Sequence, residues 1–130
     1  MKLIIAGKRS LNIDKNFLDK IIGNFNLYPE EYISGGASGV DSSARDYCKG
    51  MFGEDFDIKF KEFLADWDAH GKAAGPIRNR RMAEYGDVLL LIWDGESRGS
   101  ANMKKEMLKL KKPVYEIILK STQFIEHDEL

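Results

Sequence analysis

Short unbroken apolar runs alternate along this chain with longer stretches in which apolar residues recur every three or four positions. Residues 3–6 are wholly apolar and bounded by a turn-like Gly7-Lys8-Arg9-Ser10, which predicts a buried strand. Over 13–25, Ile13, Phe17, Ile21 and Phe25 recur every fourth position with Leu18 and Ile22 beside them, the mark of one helix face. Pro29 ends that pattern. Residues 31–34 read as a second strand running into a glycine-rich loop. Val40, Ala44, Tyr47 and Met51 then predict a second helix, with Gly53 as its stop. Residues 56–60 alternate apolar with charged, as in a strand with one solvated face or an edge strand.

Residues 61–75 show no period and read as the longest loop. Pro76 stands where a helix over 76–85 would begin, since proline loses nothing at the first helical position. Residues 87–93 lack alternation and predict a strand buried on both faces. After the polar loop 94–99, Met103, Met107 and Leu110 mark a further helix, and 113–119 a last strand. Five strands alternating with four helices predict an α/β fold: a Rossmann-like, doubly wound, mainly parallel sheet with helices on both faces. No repeat or linker divides the chain, so residues 1–120 read as a single domain and 121–130 as an acidic, fraying tail.

Composition narrows the partners. Twenty Lys and Arg against 21 Asp and Glu leave a net charge of −1 over 130 residues, which argues against coating duplex DNA but leaves room for a local anion pocket. Cys48 is the single cysteine, which excludes an intramolecular disulfide and makes a reducing cytoplasm the expected location. The apolar run at 3–6 is too short for a signal-peptide core, and the run at 88–93 too short to span a bilayer.

In a doubly wound fold ligands bind beyond the carboxyl ends of the strands. Four strand-following segments there combine glycine with charge or hydroxyl groups. They are Gly7-Lys8-Arg9-Ser10, Gly35-Gly36-Ala37-Ser38-Gly39-Val40-Asp41, the stretch 67–78, and Asp94-Gly95-Glu96-Ser97-Arg98-Gly99-Ser100. The second can cradle a phosphate, because glycines allow close backbone approach and the next helix offers free N–H groups; equally, it can be a tight strand-to-helix turn. Its spacing matches neither the dinucleotide fingerprint nor a Walker A loop. Asp41 either caps that helix or accepts hydrogen bonds from ribose. Arg78, Arg80 and Arg81 crowd the start of a helix, where the dipole disfavours cations. A bound anion would relieve that conflict, with Arg78 as its clamp and Arg80 and Arg81 as solvated charges. Arg9, Lys72 and Arg98 from other loops could complete a cationic rim. Trp67 reads either as a stacking platform for a base or as a loop anchor. Trp93 and Cys48 read as core, and the lone His70 gives no metal spacing, so neither a metal nor a cofactor is expected.

Together these segments resemble the SLOG superfamily, specifically its small YspA-like group. The likeness rests on Gly7-Lys8-Arg9, the Ser34–Asp41 segment, Ala65-Asp66-Trp67, the run from Gly71 through Arg78-Asn79 to Met82-Ala83, and Ile92-Trp93 through Asp94 to Ser100. The resemblance implies a Rossmann-like domain that binds a nucleotide or nucleotide-derived ligand and forms homo-oligomers. Its relatives include cytokinin-activating LOG enzymes, which hydrolyse the N-glycosidic bond of nucleoside monophosphates, and DNA-processing proteins that bind single strands. Arg78, Asn79 and Met82 look like the counterpart of the Arg-Lys-x-x-Met element of LOG enzymes. Asp94 to Ser100 falls where those enzymes carry Pro-Gly-Gly-x-Gly-Thr-x-x-Glu; here the double glycine is absent and Met103 stands in place of the glutamate.

Three functions follow as expectations. The first is binding of a small nucleotide, with phosphate on Gly35, Gly36, Ser38 and Gly39 and on Gly99 and Ser100. Arg78 and Asn79 would hold it, Asp41 would meet ribose, and Trp67 or Arg9 would flank the base. The second is N-glycoside hydrolysis, for which Asp41 and Asp94, with Arg78, are the catalytic candidates and Glu96 the remaining nearby acid. The third is single-stranded nucleic-acid binding, with the lysine-rich stretch 104–112 as a basic extension or, alternatively, a solvated helix face.

Overall fold

The computed structural model describes residues 1–36, 39–52 and 59–119. Five strands, β1 (Lys2–Gly7), β2 (Glu31–Ser34), β3 (Lys59–Glu62), β4 (Val88–Trp93) and β5 (Val114–Ile118), form one sheet in the order β3-β2-β1-β4-β5. Every neighbouring pair is parallel. The helices are α1 (Lys15–Asn24), α2 (Val40–Phe52), α3 (Trp67–His70), α4 (Ala74–Tyr85) and α5 (Arg98–Lys109). This is the doubly wound, Rossmann-like arrangement that the apolar pattern predicts. The chain winds outward from β1 to β3, then crosses back to place β4 on the other side of β1. The switch point therefore lies between the ends of β1 and β4.

Side-chain alternation along β1 divides the core in two. Leu3 and Ile5 join Leu90 and Ile92 under α1 and α2, where Leu18, Ile21, Val40, Ala44 and Tyr47 close the layer. Ile4 and Ala6 join Leu89, Leu91 and Trp93 under α4 and α5, where Met82, Ala83, Met103 and Met107 do the same. All six residues of β4 are buried because both of its faces are covered, which is why its sequence does not alternate. Burying one such side chain is worth about 1.5–3 kcal/mol, so the two central strands anchor the floor from which the strand-end loops rise.

Several boundaries differ from those the periodicity predicts. α1 starts two residues late because Asp14 caps it: Asp14 Oδ1 accepts from the Phe17 N–H at 2.8 Å. Ile13 is buried but lies outside the helix, and its N–H donates to Ser43 Oγ. Among the described residues the third strand covers Lys59–Glu62, reaching two residues beyond the predicted end at 60. It holds the sheet edge and alternates exposed Lys59 and Lys61 with half-buried Phe60 and Glu62, while 56–58 lie outside the described residues, as do Gly53 and the tail. The expected loop 61–75 contains α3, whose cap Asp66 accepts from the Ala69 N–H, and a 3₁₀ turn, Gly71–Ala73. α4 then begins at Ala74, so Pro76 is its third residue. It is tolerated there because first-turn N–H groups have no intrahelical acceptor. α5 begins at Arg98, five residues before its first buried methionine, because the polar loop itself turns into the helix.

Candidate functional site

Two glycines set the geometry at the switch point. Gly7 ends β1 in register with Ile92, and a Cβ there would lie 1.9 Å from the Ile92 carbonyl oxygen; only glycine lets the two strands stay paired while the chain turns into Lys8. The Lys8 N–H donates to the same carbonyl at 3.1 Å. Gly39, just before α2, has φ +72° and lies so close beneath Lys8 and Arg9 that a Cβ would be 2.1 Å from the Arg9 carbonyl oxygen. The first strand-end loop therefore seats directly on the N-terminus of α2.

Arg78 reaches back from α4 to the end of β2. Its Nη1 donates to the Gly35 carbonyl at 2.6 Å and its Nε to Asn79 Oδ1 at 3.0 Å. Asn79 Nδ2 in turn donates to Asn102 Oδ1 at 2.9 Å and to the Gly99 carbonyl at 3.3 Å. This chain of hydrogen bonds ties the end of β2, α4 and the start of α5 into one unit. The space at Gly35 is what admits the guanidinium: a Cβ would stand 2.7 Å from Arg78 Nη1 and 2.9 Å from Asp41 Oδ2. Asp41 is buried beside it. Burial pulls the Arg78 pKa below its ordinary value; the Asp41 carboxylate opposes this and the nearby Arg9 adds to it. An arginine so perturbed is still a cation, held where an anion would find it already desolvated.

The loop after β4 is organised by Asp94. One carboxylate oxygen accepts from the N–H groups of Glu96 and Ser97, both at 2.9 Å, and the other meets Lys8 Nζ at 2.8 Å. The Lys8 contact, together with those two backbone N–H groups, holds the Asp94 carboxyl far below the usual carboxylate range. Ser97 stands at the N-cap position of α5, yet its hydroxyl makes no capping bond, and Ser97 Oγ is buried with no hydrogen-bond partner. The first-turn amides of α5 are thus left without a side-chain acceptor from the cap.

Two cavities open over these groups. One, of about 310 Å³, lies at the switch point between Gly7, Lys8 and Ser10 on one side and Ser97, Gly99 and Ser100 on the other; Ala6, Met82 and Met103 line it as well. The other, of about 370 Å³, is lined by Gly35, Gly36, Leu64, Ala65 and Trp67. Arg9 and Arg78 line both. The Arg9 guanidinium sits 5.8 Å from the centroid of the Trp67 ring, and Trp67 is half exposed.

Most of the residues singled out in the sequence meet here. Gly7, Arg9, Asp41, Arg78, Asn79, Gly99 and Ser100 line the switch-point cavity, and Gly35, Gly36 and Trp67 line its neighbour. Gly39 packs beneath Arg9, and Ser38 lies outside the described residues. Lys72 and Arg98 are exposed and line neither cavity; Asp94 lines neither and instead braces Lys8, which does. Lys8, Ser10 and Ser97 also line these cavities; they stand in the segments picked out from the sequence but have no role of their own there, and Leu64 is a lining residue that the sequence does not single out. Ser97 had a visible signal, as a serine before an amphipathic stretch, whereas Leu64 sits in a segment with no period. Arg80 and Arg81 are exposed, with Arg80 3.8 Å from Glu106. Within 104–112, Lys104 pairs with Glu116, Lys109 with Glu106, and Lys112 caps α4, which fits a structural helix face. Trp93 is buried and donates to Glu116 at 2.6 Å, and Cys48 is buried in the α2 layer, where desolvation pushes its thiol up to about 12.

No helix among the described residues is long and apolar enough to cross a membrane. The chain is similar to the Gene 61 protein of Mycobacterium phage D29: 39% identical over 83 residues, which cover 63% of this chain and 66% of that protein. The matched stretch thus spans just under two thirds of that relative's length. No family model matches the chain, and no solved structure does.

Proposed function

We propose that the strand-end site binds a nucleotide or nucleotide-derived ligand, with a phosphate between Arg78 and the first turn of α5. The observation that carries this reading is the half-buried Arg78 guanidinium facing the same cavity as a helix start whose cap serine makes no capping bond. An anion there gains a charge-assisted partner and the helix dipole together. The position at the switch point of a parallel sheet is where such folds take ligands, and the SLOG-like motifs named above converge on it. Asp41 lines the cavity beside Arg78 and is the carboxylate placed to meet ribose hydroxyls, and Trp67 with Arg9 offers a face for a base. Calorimetry against a panel of mono-, di- and cyclic nucleotides and ADP-ribose derivatives tests this. Micromolar binding that is lost in Arg78→Met is expected; a folded protein that binds nothing in the panel overturns the reading.

Binding is favoured over N-glycoside hydrolysis by the state of the acids. Asp94 is committed to Lys8 and to two backbone N–H groups, and Met103, which lines the cavity, stands where the resembling hydrolases carry glutamate. Asp41 is the carboxylate that lines the cavity among the described residues. Chromatography of nucleoside monophosphates after incubation is expected to show no released base; release abolished in Asp41→Asn would establish hydrolysis instead.

A further inference from the structure

The two cavities have different walls and a common boundary. Arg9 and Arg78 are the residues they share. On one side Leu64 and Trp67 offer exposed apolar surface above the backbone of Gly35 and Gly36, a shape suited to a flat ring. The other cavity is lined by Ala6, Met82 and Met103, by Ser10, Ser97 and Ser100, and by the charged Lys8 and Asp41. That second cavity is far larger than one phosphate, and its methionine floor gains nothing from a bare anion. Beside a phosphate held between Arg78 and the start of α5, it has room for a further group that sets an apolar face against Met82 and Met103 and hydroxyls toward Asp41.

Extending the nucleotide reading above, on which this rests, we propose that the ligand carries a phosphodiester at the Arg9–Arg78 boundary with a nucleoside-like group in each cavity, an aromatic base lying against Trp67. A terminal phosphomonoester would leave one cavity filled only with water, whereas a diester continues into both. The side chains fit the division of labour. Arg78 is held by Gly35 and Asn79, so its charge is positioned beforehand, and Arg9 bridges from the boundary to the Trp67 ring. The same chemistry has two sources, a free dinucleotide or a segment of single strand.

Calorimetry on the full chain separates these possibilities, with the dinucleoside monophosphate ApA, AMP and a ten-residue adenosine oligonucleotide as probes. ApA is expected to bind about tenfold or more tightly than AMP, although it carries less charge, and Trp67→Ala is expected to remove about tenfold of the ApA affinity. Trp67 is half exposed, so that variant should fold. An oligonucleotide matching ApA, with a salt dependence of about one phosphate, identifies the free dinucleotide as the source. One binding tenfold more tightly, with a salt slope of several phosphates, identifies a strand and keeps the diester assignment. AMP binding as well as ApA, or ApA affinity unmoved by Trp67→Ala, overturns the two-cavity proposal while leaving nucleotide binding intact. Failure of all three probes, together with the mono-, di- and cyclic-nucleotide panel, overturns both.

Discussion

Gly7 shows how much one absent methyl group can hold in place. Its Cβ would meet backbone, the Ile92 carbonyl, and backbone cannot rotate away as a side chain can. Gly7→Ala is therefore expected to cost about 3 kcal/mol or more, read from urea denaturation midpoints. Gly23, exposed near the end of α1 with nothing within 4 Å of its virtual Cβ, is the internal comparison. Gly23→Ala should stabilise the fold by about 0.5–1 kcal/mol. Asp94 supplies a pH-dependent prediction. Its carboxyl is depressed in the folded chain, so it favours folding above the ordinary carboxylate range, and that contribution fades as pH falls toward the folded value. Asp94→Asn should be less stable than the parent at pH 7, with the gap between denaturation midpoints narrowing from pH 5 to pH 3. A gap that is constant with pH would mean that the charge of Asp94 does not matter. The same residue shows where sequence reading stops. An acid in a strand-end loop looks catalytic, and only the geometry shows its oxygens taken by Lys8 and by two amides. Arg78 was legible for the opposite reason, because a cation in the first turns of a helix is anomalous by itself.

At the scale of elements, the apolar periods carried the fold. α1, α2 and β4 follow from their spacing because burial on one face, or on both, leaves a repeat in the sequence. α3 left none, since four exposed residues carry no period, and its caps are local hydrogen bonds that a pattern of apolar positions does not record. The start of α5 was obscured likewise, because its first turn faces a cavity and not the core. Helix α4 depends on a contact that no pattern would reveal. Lys112 Nζ reaches the carbonyls of Ala83, Glu84 and Gly86 at 2.7, 3.1 and 2.8 Å, ending α4 with a cation at the negative end of its dipole. Lys112→Met is expected to cost about 1–2 kcal/mol in urea denaturation. Because α4 carries Arg78 and Asn79, the same variant tests whether the site tolerates a loosened helix end; nucleotide affinity should fall by less than threefold, since those residues lie at the other end of the helix.

For the whole molecule, the near-zero net charge is an average over unlike regions. Lys8, Arg9 and Arg78 gather at the strand-end site, with Asp41 as the one carboxylate lining it among the described residues. A compact cluster of cations on a chain of net charge −1 suits the small ligand proposed above better than a long polyanion. A ligand that binds only the folded chain adds stability by mass action, about 2.7 kcal/mol at a hundred times its Kd. A nucleotide from the calorimetric panel should therefore raise the melting temperature by several degrees, and a ligand that does not raise it is not seated in this site.

The pairing of β1 with β4 gives the molecule a timetable. Leu3 finds Val88 across 85 intervening steps of the chain, the separation that also joins the Lys2 N–H to Asp87. A nascent polypeptide emerging from the ribosome can pair β1 with β2 early, but the central strand keeps one edge bare until β4 arrives, and α5 follows β4. Such long-range parallel pairing is slow to form. The cavity between the ends of β1 and β4 and the start of α5 is therefore among the last features to exist in each newly made copy. A half-synthesised chain has nothing for the proposed ligand to grasp, so binding of that ligand would report that β1 and β4 have paired.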